Sequence, residues 1–237
     1  MGSSEHTSKQ FDAELEAVRA RVLQMGGLVE DQIMRALDAL AKGDTKLAGE
    51  VVDDDHRVNA LEVGIDEDCS TIIARRQPAA GDLRLILMIV KTITDLERIG
   101  DEAAKIARMT QLMYESDRRS IPRGLEVKHV AENALGMLRN ALDAFARLDL
   151  TVAARVVRQD ELVDKEFRLV LRQLITFMME DPRTISHAIE LLFIAKAIER
   201  IGDHAKNMSE YVVYMVKGKD VRHTSVEVVE REALGTH

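Results

Sequence analysis

Tryptophan is missing from this 237-residue chain, and aromatic residues of all kinds make up 3% of it. A core built from such a composition has to be aliphatic, with its gaps filled by the 11 methionines, as in helix bundles. Proline occurs 3 times, so few positions force a helix to stop. The single cysteine, Cys69, excludes an internal disulfide and suits a reducing cytoplasm. An excess of positive charge is lacking as well. The net charge of -8 argues against a nucleic-acid partner, because phosphate contacts need a basic face. No apolar run is long enough for a bilayer. The most apolar stretch, Leu83 to Leu96, is interrupted by Arg84, Lys91 and Asp95. Met1 to Gln10 is polar and has no signal-peptide core, and His6 stands where a myristoylation motif needs Ser or Thr. These absences lead to the expectation of a cytoplasmic protein without a membrane span.

What remains is rich in helix formers, 46% apolar and 31% charged. Helical periodicity runs nearly throughout, and alternation of period two is absent. Helix one is expected from about Phe11 to Lys42, ending at Gly43. Asp44 caps helix two, which runs to about Arg76. Gln77-Pro78-Ala79-Ala80-Gly81 is a break, and Asp82 opens helix three, which runs to about Glu115. Ser116 to Gly124 reads as a linker. Helix four then runs to about Arg147. Asp149 caps helix five, which runs to about Glu180. Asp181-Pro182 starts helix six, which ends near Lys217. The expected fold is all-α: two tandem, internally duplicated three-helix bundles over residues 8–117 and 124–218. A polar, loose tail is expected over 219–237.

The duplication is visible in the residues. Glu97-Arg98-Ile99-Gly100-Asp101 recurs unchanged as Glu199-Arg200-Ile201-Gly202-Asp203, 102 positions later. Ala36–Asp55 aligns without gaps on Ala141–Asp160 at an offset of 105, with 10 of 20 positions identical. The three-residue difference falls at the break around Pro78 and Gly81, where insertions are easy. Each repeat is therefore a whole helix triplet.

Acids interrupt stripes that are otherwise core-like. Helix three shows Ile86, Val90, Ile93, Glu97, Asp101, and helix six shows Ala188, Leu192, Ala195, Glu199, Asp203. Helix five shows Val152, Val156, Asp160, Asp164, Phe167, Leu171. Helix two shows Ala48, Val52, Asp55, Asn59, Glu62, Asp66, Cys69, Ile73. A partly buried carboxylate is costly unless paired or bound to metal. Acids facing one another across a bundle would make an oxygen-lined cation site suited to Mg, Mn, Fe or Ca. Gly100 and Gly202 cost about 1 kcal/mol each relative to alanine inside a helix. They would let another backbone approach. The competing account is ion pairing within the bundle. Lys105 could satisfy Asp101, Lys206 could satisfy Asp203, and Arg98 and Arg200 could reach neighbouring helices. His56 and His204 follow candidate ligands but point about 100° away from them. Cys69 reads as core.

An enzyme is the alternative class. Di-iron bundles repeat Glu-x-x-His on two helices, and here Glu126–His129 is a lone copy with no acid stripe around it. A phosphate loop and a nucleophile cluster are both lacking. A metal-free helical scaffold is the third option.

The doubled triplets, the paired pentapeptides, Phe11-Asp12-Ala13-Glu14-Leu15-Glu16, Arg75-Arg76-Gln77-Pro78 and Tyr214-Met215-Val216-Lys217-Gly218-Lys219-Asp220 together resemble the PhoU family, from about His6 to His223. The resemblance implies a negative regulator of the bacterial phosphate-starvation response and of phosphate uptake. Its partners would be the sensor histidine kinase and the ATPase of the phosphate ABC transporter, and it would often be a homodimer. It further implies a divalent or trivalent ion (Mg, Mn, Fe or Zn) held by acid-x-x-x-Asp motifs. These fall on Glu97 with Asp101, Glu199 with Asp203, Asp160 with Asp164, and Glu62 with Asp66. The first-half counterpart of Asp160 and Asp164 is Asp55 with Asn59, where the neutral amide is a departure. Glu62 and Asp66 have Phe167 and Leu171 as their counterparts in the second half, so the two sites should differ in ligands.

Overall fold

The computed structural model describes residues 2–115 and 127–235. Every regular element among them is helical. The first half comprises α1 (Gly2–Lys42), α2 (Thr45–Asp54), α3 (His56–Arg76) and α4 (Ala80–Glu115). The second comprises α5 (Val127–Arg147), α6 (Leu150–Glu180), α7 (Ile185–Lys217) and α8 (Val226–Leu234). A 3₁₀ turn at Pro182–Thr184 leads into α7.

The helix starts are set by the acids that precede them. The Asp44 carboxylate accepts from the Leu47 amide at 2.9 Å. Asp149 accepts from Thr151 and Val152 at 2.8 and 3.1 Å. Asp181 accepts from the Arg183 amide at 3.0 Å. Such caps stabilise a helix by about 1 kcal/mol. The turn after the first helix of each repeat is left-handed in both halves. Gly43 has φ 66°, and a Cβ there would lie 2.5 Å from the Tyr114 ring. Its counterpart Leu148 adopts φ 53° without the freedom of glycine, a strain of about 1 kcal/mol.

Within the first half α1, α3 and α4 pack on one another, and within the second α5, α6 and α7 do. The halves meet where α4 lies along α7 and α1 along α5. The core is aliphatic, as the composition demands: Val22, Val29 and Ile33 from α1, Ile86, Ile93 and Ile99 from α4, Ile194 and Ile198 from α7. Met25, Met113, Met137 and Met208 fill it, and Phe145 is its largest fully buried side chain. Cys69 is fully buried, and desolvation raises its thiol to about 12, well outside the reactive range. Among the described residues no helix is long and apolar enough to cross a membrane.

The structure departs from the sequence-based expectations in three places. α1 starts at Gly2 rather than near Phe11. The second helix of the first triplet is interrupted at Asp55, which separates α2 from α3; α6 runs through the equivalent Asp160 unbroken. The tail is not loose. It carries α8, whose Val229 and Ala233, spaced one helical turn apart, are buried against the bundle. Its short apolar stripe is interleaved with three glutamates, Glu227, Glu230 and Glu232, which hide it among Val226, Val228 and Val229 in the sequence. The expected linker, Ser116 to Gly124, lies outside the described residues.

Candidate metal centre

In the second half the acid stripes converge. α6 presents Asp160 and Asp164 one turn apart, and α7 presents Glu199 and Asp203 likewise. Carboxylate oxygens of Asp164, Glu199 and Asp203 lie within 4.8 Å of one another. Two lysines manage the surrounding charge. Lys196 bonds both oxygens of the buried Glu199 at 2.6 and 2.5 Å. Lys206 bonds the buried Asp160 at 2.7 Å, across to α6 rather than to its own-helix neighbour Asp203. Lys196 also sits 5.4 Å above the Phe167 ring. Asp203 has no such partner among the described residues. Burial, then repulsion from Glu199 and Asp160, raises its carboxyl to about 6. Three oxygens aimed at one point, one of them costly to ionise, fit a hard cation: bound charge would remove the repulsion that the lysines leave. Gly202 lies against Met137 and Val163, both 3.5 Å from where its Cβ would be. The close approach is therefore of side chains and not of backbone.

In the first half the same acids do not come together. Arg98 folds back along its own helix, 3.4 Å from both Glu97 and Asp101. Glu97 is raised above the usual carboxylate range by burial first, then by Asp101, with Glu62 and Asp55 adding to it. Asp55 is taken by Gln32, whose amide nitrogen donates to it at 2.8 Å. Asn59 and Asp66 are exposed on α3. Lys105 pairs with Glu102 at 3.4 Å, not with Asp101. Among the described residues no trio of first-half ligands reaches a common point. His56 caps back onto the Asp53 carbonyl at 2.5 Å.

The PhoU domain matches this chain twice, over residues 22–110 and 127–212. The chain belongs to the PhoU family. A protein of Pseudomonas putida, described as a phosphate-specific transport system accessory protein PhoU homolog, is 50% identical over 98% of this chain and 90% of its own length. The phosphate-specific transport system accessory protein PhoU of Escherichia coli K12 is 45% identical, covering 98% and 95%. The crystal structure of PhoU from Pseudomonas aeruginosa superposes with a TM-score of 0.85 at 49% identity, over 88% of this chain and all of that one. The two matched segments of the PhoU domain are the two repeats, and α8 lies beyond both.

Sequence reasoning foresaw Arg200 reaching a neighbouring helix but missed the acids that join the two repeats, Asp95 and Glu102. Asp95 of α4 is buried and accepts from His204 Nδ1 at 2.6 Å and from Asn207 at 3.3 Å, both on α7. Glu102, also buried, lies 2.9 Å from Arg200 Nε. His204 is thus a seam residue rather than a ligand. The signal was present: Asp95 breaks an apolar stretch, and an acid there needs a partner as much as Glu97 does.

Proposed function

We propose that this chain is a negative regulator of the bacterial phosphate-starvation response and of phosphate uptake, acting by protein–protein contact. The observation that carries this is likeness to the accessory proteins of phosphate-specific transport over 98% of the chain. Its partners are the transporter ATPase and the sensor histidine kinase, and it works in the cytoplasm as a homodimer without catalysing a reaction. Residues 8–117 and 124–218 are its two bundle units. The test is deletion of its gene with a phosphate-starvation reporter in rich phosphate. The reporter should switch on; one that stays off sinks the reading.

The metal role is narrower than the full set of acids. Asp164, Glu199 and Asp203 would hold one divalent or trivalent ion, and the ion supplies positive charge that fixes α6 against α7. A metal-free bundle is the second reading, favoured by the lysine pairs at Glu199 and Asp160. Elemental analysis of the purified chain decides between them. No metal after reconstitution with Mn, Fe, Mg or Zn leaves the ion-paired bundle.

A further inference from the structure

After α7 the chain turns at Gly218, and the strap that follows brings Arg222 and Thr224 back beside the middle of that helix. Between strap and helix is an open cavity of about 620 Å³. That size falls in the ordinary range of small-molecule sites. Its walls carry cations, each held in place by a carboxylate outside the cavity. Arg200 meets Glu102 through Nε at 2.9 Å and keeps both terminal nitrogens. Lys206 gives one contact to Asp160 at 2.7 Å. Arg222 meets Asp220 through Nε and one terminal nitrogen at 2.9 and 2.5 Å, which leaves the other. Donors fixed in this way have lost their freedom before any ligand arrives.

Two carboxylates line the same cavity, Asp203 and Glu210, and Glu210 is the more buried of the two. Glu210 is 6% exposed, lines the cavity, and makes no hydrogen bond or ion pair with any described residue. The strap itself is held under tension: His223 has φ 61°, a left-handed conformation that side chains avoid.

Several cationic donors with one buried acceptor suit an oxyanion that still carries a proton. We propose that this cavity binds hydrogen phosphate, with Arg200, Lys206 and Arg222 donating to its oxygens and Glu210 accepting from its hydroxyl. Sulfate has the same shape and charge but no proton to give, so Glu210 in its ionised form selects against it. The site needs no metal, although Asp203 forms part of its wall. It rests on these side chains and not on the regulatory reading: the reporter result and the binding result can fail separately.

The experiment is calorimetric titration at about pH 8, where Glu210, held up to about 7 by burial, has lost its proton and phosphate keeps one; the full chain, stripped of metal by chelation, is titrated with inorganic phosphate and with sulfate. Phosphate should bind saturably, and sulfate about tenfold or more weaker, because a buried charged hydrogen bond is lost or repelled. Arg222→Gln, on the strap, should weaken phosphate by about tenfold with an unchanged melting temperature. Glu210→Gln should keep phosphate binding and lose the discrimination against sulfate. Phosphorus NMR line broadening of the unaltered chain gives a reading that no variant's folding can confuse. Absence of saturable binding, equal binding of sulfate, indifference to Arg222→Gln, or binding that returns only with added Mn each overturns the proposal.

Discussion

Glu97-Arg98-Ile99-Gly100-Asp101 and Glu199-Arg200-Ile201-Gly202-Asp203 are the same five residues on equivalent helices, and they do different things. In the first, the arginine lies along its own helix and answers both acids. In the second, the arginine crosses to Glu102 on α4, and the acids turn to Asp164 on α6. The pentapeptide fixes which face of the helix the carboxylates occupy. The facing helix decides what they meet. Where α6 has Asp160 and Asp164, the first half has Asp55, bound by Gln32, and the exposed Asn59. A duplicated motif therefore reports ancestry and geometry, and the chemistry is set by residues that diverged.

The largest effect should come from breaking this asymmetry directly. Changing Asp164 and Asp203 together to Asn should abolish metal uptake, measured by elemental analysis after reconstitution. Changing Glu97 to Gln and Asp101 to Asn should leave it intact. Loss of metal from the first-half variant instead would place the ion on the wrong repeat.

Next is a pH effect that belongs to the second half alone. Glu210 is raised from 4.5 to about 7, mainly by burial; Asp160 and Asp220 add to the shift, and Lys206 and Arg222 oppose it. Its counterpart in the first repeat is Arg108, which is exposed. The folded chain thus holds the Glu210 proton more tightly than the unfolded chain does. That contribution is full below about pH 4.5 and lost as the pH rises through 7, at most roughly 3 kcal/mol. Denaturant unfolding of the metal-free chain at several pH values should show the decline, and Glu210→Gln should remove its part near pH 7 while leaving the part that Asp203, raised to about 6, contributes. A profile that the variant leaves unchanged would show that Glu210 is not the group responsible.

The two motif glycines sharpen the comparison further. A Cβ at Gly100 would lie 3.2 Å from Gln32 Oε1 and 3.3 Å from Val58, and Gln32 is pinned by its bond to Asp55. At Gly202 the nearest atoms are at 3.5 Å, ordinary contact. Alanine should gain about 1 kcal/mol of helix propensity at both. At Gly100, crowding of about 1–3 kcal/mol outweighs that gain. Gly202→Ala should therefore stabilise the chain and Gly100→Ala destabilise it, read from chemical denaturation. Equal signs would mean that Gln32 yields.

The fold was legible because its signals are redundant: long periodic stripes, three acid caps and a repeat that states the helix count twice. The site was legible only in part. Sequence spacing put Glu199, Asp203 and Asp164 on the right faces, but it could not tell that Lys206 would choose Asp160 over Asp203, since both lie within its reach. Nor could it foresee that Gln32, a residue of α1 outside every acid stripe, would take Asp55. Such choices depend on distances between helices, and these follow from packing over the whole bundle. α8 was overlooked because its buried face is only two residues wide.

That narrow face also sets the smallest prediction. Only the second half carries α8, anchored by the fully buried Val229 and by the ion pair between Glu230 and Arg158 of α6. Removing the two methyl groups of Val229 should cost roughly 1–2 kcal/mol, from lost burial and incomplete closure of the gap. Arg158→Gln should leave the melting temperature unchanged within its scatter, because the arginine side chain is 49% exposed and such pairs are screened by water and salt. The contrast tests what holds the extra helix. If Arg158→Gln costs as much as Val229→Ala, charge fastens α8, and raising the salt concentration should loosen it. If Val229→Ala costs nothing, α8 unfolds independently of the bundle, and the strap with Arg222 is free to leave α7.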